Sequence, residues 1–205
     1  TSRSSAWISA EYINQSTTTD FYSTSTLVAG SLTLSNHDSG QVNNAFSFRN
    51  EVDQELFGFK LATDTEAVNI SSITFGLIGV SKIDNTDLTN LELYRDIDNN
   101  ASYDAGIDIQ ISGVGDYSIS GQTGSIIFDT TFSATSSQNY LLIGDTNSIQ
   151  ANAFVTITLN SEDIVSTGST SLLEVTTTGS ASSVQHSRNS SGGSVGETSS
   201  SVGGN

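Results

Sequence analysis

Leu91-Glu92-Leu93-Tyr94-Arg95-Asp96-Ile97-Asp98-Asn99-Asn100-Ala101-Ser102-Tyr103-Asp104-Ala105-Gly106-Ile107-Asp108-Ile109-Gln110-Ile111-Ser112 is the stretch on which the reading of this chain turns. Its two ends alternate apolar and polar residues as half-buried strands do. Its middle is crowded with the carboxylates Asp96, Asp98, Asp104 and Asp108 and the amides Asn99 and Asn100. The spacing predicts an acidic loop joining two neighbouring strands. Packed like charges repel, and only Arg95 stands close in sequence to compensate. A hard cation with oxygen ligands relieves such crowding, and Ca²⁺ is the usual one.

The same period of two recurs on both sides. Phe57, Phe59 and Leu61 share a face, as do Ile73, Phe75 and Leu77, with Ile78 and Val80 expected to point the other way. Ile126 and Phe128, Tyr140 and Leu142, and Val155, Ile157 and Leu159 repeat the pattern. Turn clusters separate them, among them Asp84-Asn85-Thr86-Asp87, Gly113-Val114-Gly115-Asp116 and Gly121-Gln122-Thr123-Gly124. No stretch carries helical periodicity with caps. Many short, regularly spaced strands predict an all-β, two-sheet β-sandwich of the jelly-roll or immunoglobulin-like kind, with extended N- and C-terminal segments.

Three regions are expected. Residues 1–35 form an N-terminal arm or first strands, with Ala6–Ile13, Thr26–Gly30 and Ser31–Ser35 as candidate strands and Trp7 burying its ring. Residues 36–176 form the sandwich. Residues 177–205 are a Ser/Gly-rich tail whose apolar anchors are Val184, Val195 and Val202. Such a tail buries too little to offset its ordering entropy alone. It is therefore expected to pair at home or to lie on another copy of the chain.

Composition narrows function. The 205 residues carry 22 acids against 6 Lys and Arg, a formal net charge of −16. That excludes nucleic-acid binding through clustered cations and disfavours anionic membranes. No apolar run approaches a membrane span, so no membrane insertion is expected. Cys, Met and Pro are absent. Without Pro, one common device for blunting sheet edges is missing. Sequons begin at Asn14, Asn69, Asn100 and Asn189, leaving surface glycans open.

The acidic loop resembles the calcium loops of EF-hands, and more closely the strand-flanked variants of dockerins and secreted prokaryotic surface domains. Asp96, Asp98 and Asn100 match the first, third and fifth positions, and Asp104 the ninth. The resemblance implies a Ca²⁺ site built from Asp96, Asp98, Asn100, Ser102 (through its carbonyl), Asp104 and Asp108. The sixth position is Ala101 in place of glycine. The twelfth is Ile107, so Asp108, one place later, supplies the last carboxylate.

No catalytic signature appears, and the chain is not expected to be an enzyme. His37 and His186 are the only histidines, with no zinc spacing and no nucleophile elbow, and both are expected at the surface. Asp64, Glu66, Asp84, Asp87, Asp145, Glu162 and Asp163 are expected to face solvent in turns. Trp7, Tyr12, Phe21 and Tyr22 are candidates for a sugar platform. The expected role is a structural subunit of an extracellular filament or cell-surface assembly. Copies would polymerise head to tail by β-strand addition, with Trp7–Ile13 as donor and the C-terminal tail as second candidate. The alternative is a calcium-stabilised adhesion or carbohydrate-binding module of a secreted protein.

Overall fold

The computed structural model describes residues 2–16 and 27–189. Phe21, Tyr22, Thr26, Val195 and Val202 lie outside the described residues. The strands are β1 (Leu32–Asn36), β2 (Glu51–Thr63), β3 (Val68–Ser81), β4 (Leu88–Asp96), β5 (Ile109–Gln110), β6 (Asp116–Ser120) and β7 (Thr123–Phe128). They continue as β8 (Phe132–Ala134), β9 (Gln138–Thr146), β10 (Phe154–Thr158), β11 (Ile164–Gly168), β12 (Thr177–Gly179) and β13 (Val184–Ser187). Sheet A runs β12-β1-β2-β9-β4-β5 and sheet B runs β13-β10-β3-β7-β6, with β8 and β11 pairing the first half of β3. The pairing is antiparallel except between β1 and β12. The fold is thus the expected all-β, two-sheet sandwich.

The alternating apolar residues explain how the sheets meet. Phe57 and Phe59 of sheet A meet Phe75 of sheet B edge-on, at 5.7 and 5.8 Å between ring centroids. Tyr140 stacks on Phe59 at 5.3 Å. Each fully buried ring of this kind contributes about 1.5–3 kcal/mol. Bulges adjust the pattern. In β2 the register slips between Glu55 and Phe57, so Leu56 has no partner in β9. In β3 the register slips where Gly79 takes φ +63. That extra residue leaves Ile78 48% exposed as expected and turns Val80 back into the core at 4%.

The central strand β9 is buried on both faces. Leu142 and Tyr140 face the core, while Leu141 and Ile143 face away from it and are also buried. Tyr94 is in register with Leu141 and so shares that outer face, and the Tyr103 ring from the acidic loop lies 4.7 Å from it. Gly58, also in register with Leu141, lies under His37 and Gln41. A Cβ there would stand 3.3 Å from the His37 Cβ, and the Gly58 N–H donates to Gln41 Oε1 at 3.0 Å. The outer face of sheet A is therefore covered by the segment that leaves β1 and by the acidic loop.

The chain ends depart from expectation. Ser5–Ser16 forms an α-helix, α1, where a strand was expected. Ala6, Trp7 and Ile8 are consecutive apolar residues that a strand could not place on one face. Ser4 supplies the cap, its Oγ accepting the Trp7 N–H at 3.3 Å. Arg3 lies over the Trp7 ring, 3.6 Å from its centroid, and pairs with Glu11 at 3.3 Å. Trp7 is 42% exposed, not buried. Residues 27–31 are not a strand, and β1 covers Leu32–Asn36. At the other end the sandwich continues past residue 176. Leu32 pairs with Thr177, and Val184 and His186 are buried in β13.

Several acids expected in solvent are structural. Glu66 accepts the Gly30, Thr170 and Ser171 N–H groups and the Ser171 hydroxyl. The Ser171 hydroxyl, then the Ser171 and Thr170 N–H groups, lower its pKa to about 2 from 4.5. A depressed carboxylate contributes stability above its unfolded pKa and loses it as pH falls through the folded value. Urea midpoints should fall between pH 4.5 and about 2, and Glu66→Gln should flatten that part of the acid slope. An unchanged slope in the variant would rule the contribution out. Asp87 is also buried, at 4% exposure, and accepts the Asp84 N–H at 2.9 Å.

Candidate metal centre

Asp96 ends β4 on the outer face of sheet A, in register with Asn139, which is in register with Lys60. This polar row receives the segment after β1. Asn139 Oδ1 accepts the Asp38 N–H, and Lys60 binds the Asp38 carboxylate at 2.8 Å. Beside it, His37 Nε2 lies 2.8 Å from Asp96 Oδ2, both side chains being inaccessible to solvent. His37 Nδ1 accepts the Ser39 N–H at 3.1 Å. That leaves Nε2 to donate to Asp96. The Ala101 N–H also donates to Asp96 Oδ2, and the Asn99 N–H to Oδ1. Three donors fix this carboxylate in orientation.

The loop then turns on two left-handed residues, Asn99 at φ 59 and Ala101 at φ 63. Ala101 is the position where EF-hand loops use glycine. An L-residue there costs about 1–2 kcal/mol, which the bond from its N–H to Asp96 helps to offset. Asn139 Nδ2 and Ser39 Oγ grip Asn99 through its side-chain and main-chain oxygens. Further on, the Ile97 and Asp104 N–H groups donate to the two oxygens of Asp108. Gly106, at φ 86, closes the turn back towards β5.

The outcome is a convergence of Asp96, Asp98 and Asp108, each offering an oxygen within 4.8 Å of the others. Asn100 and Asp104 are tied to this group. The Asn100 amide nitrogen donates to Asp98 at 3.0 Å and to Asp104 at 2.7 Å. The Ser102 side chain and N–H are engaged elsewhere. The hydroxyl donates to Glu55 and the N–H to Asn100 Oδ1. Partial desolvation first, then Asp96, Asp104 and Asp108, raise the pKa of Asp98. Four carboxylates and an amide are an all-oxygen donor set that fits a hard divalent ion, and such an irregular set suits Ca²⁺ better than the stricter octahedral Mg²⁺.

His37, Asn139 and Glu55 are the supporting residues that sequence reading missed. Glu55, on β2, accepts both the Ser102 hydroxyl and the Tyr103 N–H. Neither histidine is at the surface, contrary to expectation: His37 is 2% exposed and His186 is fully buried. Partners 59 residues apart leave no local trace.

The sequence matches no family model and no curated protein. Among solved structures, one chain of the crystal structure of a CaDoc0917 variant in complex with CaCohA2 at pH 5.5 aligns with 78% of this chain and 100% of its own length. The identity is 9% and the TM-score 0.31. Among the described residues, no helix is long and apolar enough to cross a membrane.

Proposed function

We propose that this protein is a structural subunit of an extracellular filament or surface assembly, its sandwich pinned by Ca²⁺ at the Asp96–Asp108 loop. The observation that carries the assembly reading is the N-terminal segment. Trp7, Ile8, Tyr12 and Ile13 are 42%, 57%, 70% and 53% exposed, a concentration of large apolar side chains that suits a binding arm. The donor is the segment Trp7–Ile13. The C-terminal candidate is weaker, because β12 and β13 are already paired within their own sandwich. Extracellular calcium is abundant enough to fill even a modest site of this type. No catalytic role is assigned.

A second reading, a calcium-stabilised adhesion or carbohydrate-binding module, is favoured by those same home-paired terminal strands. Negative-stain microscopy with calcium present separates the two. A subunit grows into fibres, and deletion of residues 1–13 leaves monomer. Fibres that persist after the deletion would eliminate this arm as donor. Monodisperse particles from both forms would favour the module.

A further inference from the structure

Four residues stand in register across sheet A on its core face: Phe59, Tyr140, Arg95 and Ile109. The first two are buried, whereas Ile109 is 46% exposed. β5 is the last strand of the sheet. The chain beyond it still follows β4, with Ile111 N–H donating to the Leu93 carbonyl and Gly115 N–H to that of Leu91. Ile107 and Val114, at 51% and 67%, are also exposed along this run. Among the described residues no strand pairs with this apolar edge beyond β5.

Arg95 stands one strand in from that edge. Its Nε is buried without an acceptor. The other described basic residues have partners. Arg3 pairs with Glu11 and Lys60 with Asp38. Lys82 and Arg188 donate to the Ala151 and Ile149 carbonyls, and Arg49 lies in the field of Asp87. In a chain with 22 acids, Arg95 keeps a buried Nε that meets neither a carboxylate nor a carbonyl among the described residues, and it stands beside the apolar edge.

We infer that this β5 edge is the acceptor in assembly, and that its occupant is the segment Trp7–Ile13 of a second copy, added as a strand with Glu11 brought to Arg95. The inference rests on the filament reading above. In extended form, Trp7, Ser9, Glu11 and Ile13 share one face, a single acid between large apolar residues, which complements a row ending in Arg95 and Ile109. Little holds the segment helical. Twelve residues are marginal for an isolated helix. The Arg3–Glu11 pair, with side chains 64% and 45% exposed, is the kind that contributes least. The added strand exchanges it for a partner that is less screened by salt.

Charge reversal in the full chain tests the edge, with fibre growth followed by light scattering and microscopy. Arg95→Glu and Glu11→Arg are each expected to slow growth at least tenfold, and the double reversal to restore it. Ile109→Lys also slows growth, and like Glu11→Arg it changes an exposed side chain that the fold does not depend on. Wild-type fibres with undiminished growth in Glu11→Arg and Ile109→Lys would overturn this edge and leave the filament reading intact. Absence of wild-type fibres in calcium would overturn the filament reading, and the inference with it.

Discussion

Chelating calcium with EGTA is expected to lower the melting temperature of this protein by roughly 8–16 °C relative to buffer holding calcium at about a thousand times its dissociation constant. An ion that binds only the folded state adds about 4 kcal/mol at that excess. For a domain of this size each kcal/mol moves the midpoint by about 2–4 °C. The choice of control decides what the experiment means. Asp96 accepts N–H groups from His37, Asn99 and Ala101, so its removal would unmake the loop with or without an ion. Asp108 caps Ile97 and Asp104 in the same way. Asp98 is exposed, accepts the Asn100 amide, and has its pKa raised by partial desolvation and the neighbouring acids. Asp98→Ala therefore removes a proposed ligand and some repulsion together. The variant should melt in EGTA no lower than the wild type and lose its response to calcium. Identical wild-type curves in calcium and EGTA would remove the metal site from this fold.

The contrast between Asp98 and Asp96 marks how far the sequence could be read. Asp96, Asp98 and Asp108 are close in the chain, and their convergence follows from loop spacing alone. The strands were legible for a similar reason, since Phe57 and Phe59 or Ile73 and Phe75 advertise a face by a period of two. Three things left no such signal. Bulges at Leu56 and Gly79 change which residues turn inward, which is why Val80 is buried. The second face of β9 is covered by segments distant in sequence, so Leu141 and Ile143 read as nothing more than strand residues. Finally, polar residues such as His37, Asn139 and Glu66 acquire structural roles only when partners 36 to 105 residues away arrive. At α1 the error was of another kind. Its alternation was already imperfect, and local capping by Ser4 stabilises a helix that β-rich surroundings made easy to overlook.

Replacing His186 with phenylalanine is expected to destabilise the sandwich by about 2–5 kcal/mol, the cost of leaving two buried backbone groups without partners. The bulge in β2 takes Leu56 out of the ladder with β9, and its carbonyl accepts His186 Nε2–H at 2.7 Å. On the other side of the ring, Nδ1 accepts the Ala45 N–H at 3.0 Å. One neutral imidazole on β13 of sheet B thus satisfies a strand of sheet A and the loop before it, with the Phe46 ring 5.4 Å away. Phenylalanine keeps the ring volume and loses both bonds, which separates hydrogen bonding from packing. The same geometry sets a pH dependence. Burial lowers the pKa of His186 from 6.5, outweighing the Leu56 carbonyl, which raises it. Below pH 6.5 the unfolded chain takes up a proton that the folded chain refuses, so stability is full above that pH and declines as pH falls towards the lower folded value. The decline approaches about 1.4 kcal/mol per pH unit for one proton. Urea unfolding of wild type and His186→Phe from about pH 7.5 down to about 5 isolates this residue, since every other titrating group is common to both chains. The gap between the two proteins should narrow as pH falls, because the variant has no proton to refuse at this position. A gap that stays constant across the range would show that the imidazole takes up its proton equally well in both states.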